Sequence, residues 1–458
     1  MSERQHHGSA PADVSPILIF MTNVVTADEQ GMTDTGHDIQ RRTLAVLAVS
    51  QVIGTVGVGI APSIGILLAT EVTDSEVWSG LARTASTLGA ALLGIPLGAT
   101  AARWGRRTAL ASGWWVSAAG AAVLVAAAQW SLVVPMFLGL LLIGAGQATS
   151  LQSRFAATDR ARPADRARAL SLVVWVGTLG NVLGPNLGLP GQALHRATGL
   201  TVFASAFLIA AVCLALAGLV IFLWLRPDPL AGRTASGPVP AVSAVPAASA
   251  VPDAAGRRRF PRVRLLLAEI RTNPRARAAA GAVVIAQVIM VVVMTMTPVH
   301  MSHRGDSVTL VGVTISLHIL GMYALAPVVG QLTDRRGPRP AVVTGVVVLV
   351  ASLVVAGAAS DSTAGVVVAL FLLGLGWSFV NVAGSATFSQ ALTEDHRATA
   401  QGGLDASSNL VSAAGAFAAG PLMAVSSFPV VSIVVAVLLI PVAVSLPTAA
   451  WTRPRAAE

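Results

Sequence analysis

The chain has 458 residues, of which 54% are hydrophobic and 11% charged, against roughly a quarter charged in an ordinary soluble domain. With a mean hydropathy of +0.73, that composition excludes a soluble globular protein and points to one that crosses a membrane many times. The net charge of +9 sits in short arginine clusters between apolar runs, as in the cytoplasmic loops of membrane proteins, so the partner is a lipid bilayer and no nucleic acid. All 30 basic residues are Arg, which reads as GC-rich bacterial coding. Cys213 is the single cysteine, so there is no disulfide framework and no CxxC metal site.

In chain order, residues 1–42 read as a polar tail. Its one apolar patch, Pro16 to Met21, is too short to span a bilayer and lacks the order of a cleaved signal. A spanning helix needs about 20 mostly apolar residues. Six such runs follow, at 44–70, 77–100, 108–128, 131–153, 169–190 and 200–225, making an N-terminal half of 43–225. Residues 226–275 are too rich in Pro and small residues for a helix or a core and read as a flexible linker, ended by the basic run Arg257 to Arg264. Six more runs, at 278–300, 308–332, 340–360, 363–390, 400–424 and 428–449, make a C-terminal half of 276–450 before a tail of 451–458. The expected fold is therefore all-α, with twelve transmembrane helices in two six-helix halves.

Loop charge sets the orientation. Arg103, Arg106 and Arg107, then Arg160, Arg162, Arg166 and Arg168, the linker, Arg335, Arg336 and Arg339, Arg397, Arg453 and Arg455 all fall on one side. The opposite loops carry Glu71, Asp74, Glu76, Asp306 and Asp361, with Arg196 and Arg304 alone against them. The positive-inside rule places both termini and the linker in the cytoplasm of a multi-pass protein of the bacterial inner membrane.

The six-plus-six layout resembles the major facilitator superfamily over nearly the whole chain. Its loop signature, G-x-x-x-D-R-x-G-R, follows the second span of each half. The first copy contains Gly98, Arg103, Gly105 and Arg106; the second contains Gly330, Asp334, Arg335, Gly337 and Arg339. Glycines permit the tight turn, and an acid at Asp334 can face the positive end of a neighbouring helix and latch one state. Ala102 stands where the first copy should have its acid, so the latch there is expected to be weak or absent. The resemblance implies a monomeric transporter working by alternating access between its halves. No Walker loop, Rossmann fingerprint, HExxH or nucleophile elbow occurs, so the chain is not expected to be an enzyme.

One cluster suggests a cargo. Met290/Met294 in span 7 and His318/Met322 in span 8 are both i, i+4 pairs, so each presents two soft donors on one helix face. Thioether and imidazole are ligands for copper. Either pair alone is equally what apolar packing produces, whereas an ionisable His318 within a span points to a cavity. His300, Met301 and His303 would collect the ion at the outer mouth. M-x-x-x-M in span 7 with H-x-x-x-M in span 8 resembles the CcoA-like copper importers (the CalT family), a branch of the same superfamily. That resemblance implies copper import, with copper as transported substrate and no cofactor.

Two rivals stand beside copper. Riboflavin importers are close relatives of that branch, so a small organic solute using His318 as a hydrogen-bond partner is one. Gly184, Pro185 and Gly188 in span 5 resemble the G-x-x-x-G-P-x-x-G motif of drug/proton antiporters, although Leu189 stands at the position of a further family glycine; a proton-coupled exporter is the other. Close helix packing explains the same small residues. Asp405, expected about one turn into span 11, is the candidate proton carrier, and Arg83 lies near the outer end of span 2. Gln51, Gln147, Asn181, Gln287, Asn381 and Asn409 are polar groups within spans that either bond between helices or line the cavity.

Overall fold

The computed structural model describes residues 34–75, 77–161, 165–230, 270–448 and 451. Helices dominate, and no strand occurs among the described residues. Lipid supplies no hydrogen-bond partners, so a spanning backbone must close its N–H and C=O groups on itself. Eleven helices are long and apolar enough to cross a membrane. One of them, Val77–Trp130, has 54 residues and would reach about 80 Å as a single rod, far beyond a hydrocarbon core of about 30 Å. It breaks at Gly105, whose φ of 89° and ψ of 170° cost any residue with a Cβ dearly. That helix is therefore spans 2 and 3, and the chain makes twelve crossings.

Span 1 runs Asp34–Val58, then Ala61–Gly65 and Ile66–Thr73; span 4 is Val133–Thr158. Span 5 is Arg166–Leu183, Gly184–Leu187 and Gly188–Thr198, and span 6 is Val202–Trp224. The second half begins with span 7, Pro274–His303, and span 8, Val308–Tyr323 and Ala326–Arg336. It continues through span 9 (Pro338–Ala358), span 10 (Thr363–Gln390), span 11 (Glu394–Val425) and span 12 (Phe428–Val437 and Ile440–Ser445). Polar turns extend several helices past their apolar runs. Span 1 starts inside the expected tail, span 4 reaches beyond residue 153, and Asp405 lies about three turns into span 11 rather than one. Residues 1–33, most of the linker (231–269, with Arg257 to Arg264) and 452–458 lie outside the described residues. The last tail includes one packed residue: Trp451 is buried and its indole Nε1 donates to Ser445 Oγ at 3.1 Å.

Two prolines reshape spans at one place. Pro62 lies in the π turn Ala61–Gly65 and Pro185 in the 3-10 turn Gly184–Leu187, because a missing N–H breaks the regular ladder. The bends nest: a Cβ on Gly59 would sit 3.1 Å from Gly184 Cα.

At the end of the bundle where span 6 stops and span 7 starts (the linker end), the two loop motifs share a turn but not an acid. Gly337, with φ 87° and ψ 170°, repeats the geometry of Gly105. In the first copy Asp228, just past span 6, supplies the carboxylate that Ala102 lacks. Its Oδ1 accepts from Arg106 N at 3.2 Å and its Oδ2 from Arg107 N at 2.8 Å. The carboxylate thus caps the positive N-terminus of span 3. Arg106 Nε reaches Asp159 Oδ2 at 2.8 Å, and Arg160 Nη2 donates to the Asp228 carbonyl at 3.1 Å. The acid at this turn therefore comes from the start of the linker and acts within the first half. In the second copy Arg335 and Arg339 are exposed, Gly330 has open space beside it, and the Asp334 side chain lies outside the described residues.

The halves meet at the opposite, distal end. Thr84 Oγ1 of span 2 donates to Ala413 O of span 11 at 3.0 Å, and a Cβ on Gly80 would strike the Ala416 carbonyl. Asn186 Nδ2 of span 5 donates to Ser316 Oγ of span 8 at 2.6 Å, and Ser316 Oγ donates to Val182 O at 2.5 Å. A Cβ on Gly312 would collide with the Pro185 carbonyl. Span 5's small residues therefore serve an inter-half contact. The linker-end helix of span 8 instead packs chiefly on spans 9 and 10 of its own half.

Two outcomes follow. Asp228→Ala is expected to cost about 1–2 kcal/mol as a lost cap, and Gly105→Ala about 1–3 kcal/mol as backbone strain. Both should lower the unfolding midpoint of the purified protein; midpoints equal to wild type would remove Asp228 from this role. Gly312→Val, by overpacking the distal contact at about 1–3 kcal/mol, should shift the closed–open balance about 5- to 150-fold. A Thr87→Cys reporter in a Cys213→Ala background would then react faster with an impermeant maleimide added from the distal side. An unchanged labelling rate would show that this contact is not the closure.

Candidate functional site

Met290, Met294, His318 and Met322 are all buried, and their faces are turned to span 10. Val283 of span 7 meets Gly384 of span 10, where a Cβ would lie 2.7 Å from Val283 Cγ2. One turn on, Gln287 Oε1 accepts from Trp377 Nε1 at 2.8 Å. Residues seven apart share a helix face, so Met290 follows Val283 and Met294 follows Gln287 on the side facing span 10. From span 8, His318 Nδ1 bonds Leu370 O at 2.8 Å, and Gly374 packs against the His318 carbonyl and Met322 amide. Span 7 packs on spans 10 and 11 alike, span 8 mainly on span 10, and the two little on each other. The structure adds a third helix to the expected pair: both pairs pack against span 10, whose Trp377 touches span 7 at Gln287 and span 8 at Tyr323.

His318 has a defined tautomer. A carbonyl can only accept, so Nδ1 carries the hydrogen and Nε2 is a bare lone pair. That Nε2 is buried with no hydrogen-bond partner. Arg83 of span 2 lies within electrostatic reach of the ring. Leu88 and Leu92 on the same helix are exposed hydrophobics, whereas Arg83 is turned roughly 140° or more from them at about 100° per residue. It points inward.

The outer mouth is only partly as expected. His300 and His303 border a cavity of about 450 Å³ with Asp361, Met423 and Phe428, all from the second half. His300 stacks on Phe428 with ring centroids 4.6 Å apart and bonds Ser360 O at 2.9 Å, which ties its ring into packing. Met301 is fully buried and is not part of the cavity wall.

A second set of groups faces the space between the halves. Gly312 and Ser316 of span 8 touch span 5, and Tyr323 lies on that same face by helical spacing, about 140° round the helix from His318. Tyr323 meets Trp377 edge-on, with centroids 6.2 Å apart and an interplanar angle of 72°. Behind them the Trp377–Gln287 bond holds the Gln287 amide. Across the gap stands Arg154 of span 4. Its neighbours fix its direction: Ser150 bonds Gln51 of span 1, and Gln152 Nε2 donates to Gly94 O of span 2 at 3.2 Å. Arg154 lies about 40° round the helix from Ser150, on the span 1 side, within electrostatic reach of Tyr323 and Asp405. Its Nε is buried without a hydrogen-bond partner, and Asp405 is exposed. Gln287, Tyr323 and Trp377 each lie about 20 Å along their helices, near mid-membrane.

Arg154, Tyr323 and Trp377 escaped the reading of the sequence. Arg154 fell one residue outside the expected span 4, which ended at 153, and so passed for a loop arginine. Tyr323 is the only Tyr in the chain, a signal that was there to use. Gln51 and Gln287, left open between helix pairing and cavity lining, both bond a neighbouring helix, and Gln287 is also partly exposed.

The comparisons agree with this architecture. The family model described as Major Facilitator Superfamily matches residues 45–315 and 278–458. The chain is 35% identical over 91% of its length, and 93% of the relative's, to the MFS-type transporter YdeG of Bacillus subtilis. It is 29% identical over 87% of its length, and 96% of the relative's, to the riboflavin transporter RfnT of Brucella anthropi. The crystal structure of the nucleoside transporter NupG superposes with a TM-score of 0.67 at 16% identity, covering 89% of this chain and 98% of that one. With twelve spans in two halves and a family match over most of its length, this chain belongs to the major facilitator superfamily and is a membrane transporter, not an enzyme.

Proposed function

We propose that the chain carries a small organic solute across the cytoplasmic membrane by alternating access, with both termini and the linker in the cytoplasm, as a monomer. The observation that carries this reading is the group in which Tyr323, beside Trp377 and Gln287 near mid-membrane, stands within electrostatic reach of Arg154 of the other half, about one turn from the linker end of span 4. Substrate sites of such carriers lie near the midplane between repeats, and an ionisable group turned toward that space is a functional candidate. The similarity to a riboflavin transporter supports an organic cargo. With closure at the distal end and the second helix of span 8 packed within its own half, the arrangement is that of a carrier open to the cytoplasm.

Copper is the second reading, and one observation favours it. A His that donates Nδ1–H to a backbone carbonyl and holds out Nε2 is the usual form of a metal-ligating imidazole, and buried thioethers from spans 7 and 8 border the same stretch of span 10. Against it, both pairs pack against span 10 of their own half, and Arg83 places a cation near His318.

Uptake into cells separates the two. Wild type is expected to accumulate radiolabelled riboflavin, and Arg154→Gln to lose at least about tenfold of that rate, as the removal of one charged hydrogen bond of about 1.5–3 kcal/mol implies. Copper content should be equal in wild type, Met290→Ala and His318→Ala. Copper accumulation that depends on Met290 and His318, with no riboflavin uptake, would overturn the organic-solute reading in favour of the metal.

A further inference from the structure

We propose that the solute is a planar heteroaromatic molecule whose ring lies against Tyr323 and Trp377 and whose rim acceptors meet Gln287 and Arg154. The inference deepens the organic-solute reading and rests on it.

Three features of the mid-membrane group carry the argument. First, the two rings stand edge to face, at 72° and 6.2 Å, so they form an angled wall. Tyr323 is partly exposed and Trp377 buried, so Tyr323 offers the stacking face and Trp377 backs it, stacked and edge contacts being the two arrangements aromatic pairs prefer. Second, the Trp377 N–H is already used on Gln287 Oε1. That bond fixes the amide, so its NH₂ is directed away from the indole and offers donors only. Gln287 is partly exposed, so those donors are open to a ligand. Third, Arg154 also offers donors only, with its Nε buried and unpartnered.

The wall is therefore aromatic and its rim is dominated by donors, with Asp405 as the carboxylate within reach of Arg154 among the described residues. A sugar would need donors and acceptors alternating round its hydroxyls. An aliphatic chain would leave the Arg154 and Gln287 donors unsatisfied in a low-dielectric site, at a cost. A flat heterocycle with carbonyl or carboxylate oxygens on one rim satisfies both wall and rim.

The test uses the full chain in lipid nanodiscs with lumichrome, a fluorescent three-ring heterocycle with carbonyl oxygens on one rim, as the probe and sucrose as a ring-free competitor. Wild type is expected to bind lumichrome without displacement by excess sucrose. Trp377→Leu and Tyr323→Leu should each weaken binding about tenfold or more, the size of one stacking contact. Tyr323→Phe keeps the ring and should stay within about threefold of wild type; Trp377→Phe keeps a ring but frees Gln287, and should fall between. Gln287→Leu should cost about tenfold. The Phe variants preserve packing, so a ligand effect is separable from misfolding. No lumichrome binding by wild type, displacement by sucrose, or equal affinity in both Leu variants would overturn the proposal. If one of those results came with intact uptake of an organic solute by wild type, the carrier reading would stand and only the aromatic assignment would fall.

Discussion

Hydrocarbon gives a polar group nothing to bond to, and the rest of this structure depends on that constraint. It makes every span a helix, and it makes small hydroxyls fold back on their own turn, as Thr295 does on Val291 O at 2.6 Å and Thr297 on Val293 O at 2.7 Å. Groups that cannot satisfy themselves in this way stand out. His318 Nε2 and Arg154 Nε are buried and unpartnered, and Arg83 is an inward-turned cation in the same membrane.

The same constraint explains what could be read in advance. Runs of about 20 apolar residues are forced by the bilayer thickness, so the number and order of the spans were legible. Helix ends were not, because a helix continues into polar sequence once it leaves the hydrocarbon. That is how Arg154 was lost to a loop and Asp405 placed too near the start of its span. Helix phase was half legible. An i, i+4 spacing says that Met290 and Met294 share a face, but not which neighbour the face meets. Span 10, which packs against both spans 7 and 8, leaves no trace in that spacing.

Asp228 shows a different limit. Gly105 and Gly337 adopt nearly the same backbone angles, so the two halves keep one turn geometry. The acid serving the first turn comes from about 120 residues further along, through bonds to Arg106 and Arg107. A local motif cannot report a partner so distant. The physical need, a negative group at a helix N-terminus, was predictable; its source was not. The consequence is that the start of the linker is fastened to the spans 2–3 turn and to Arg160 at the end of span 4, so spans 2, 3, 4 and 6 are tied together at that end.

A half tied in this way needs a closure that can be undone, and the distal contact has that character. It consists of a few neutral hydrogen bonds, Thr84 to Ala413 and Asn186 and Ser316 across spans 5 and 8, together with backbone approaches at Gly80 and Gly312. Each bond is worth about 0.5–1.5 kcal/mol net, and small residues bury little apolar area. The hydrogen-bonded part of the closure is therefore of the order of a few kcal/mol, the range that one ligand's difference in affinity between two states can reverse. Larger side chains would make a tighter seal, but the solute could then no longer pay to open it. Glycine at 80 and 312 thus sets the depth of the energy well as well as the fit, and that depth is what allows a mid-membrane site near Arg154 and Tyr323 to control a contact in the distal part of the bundle.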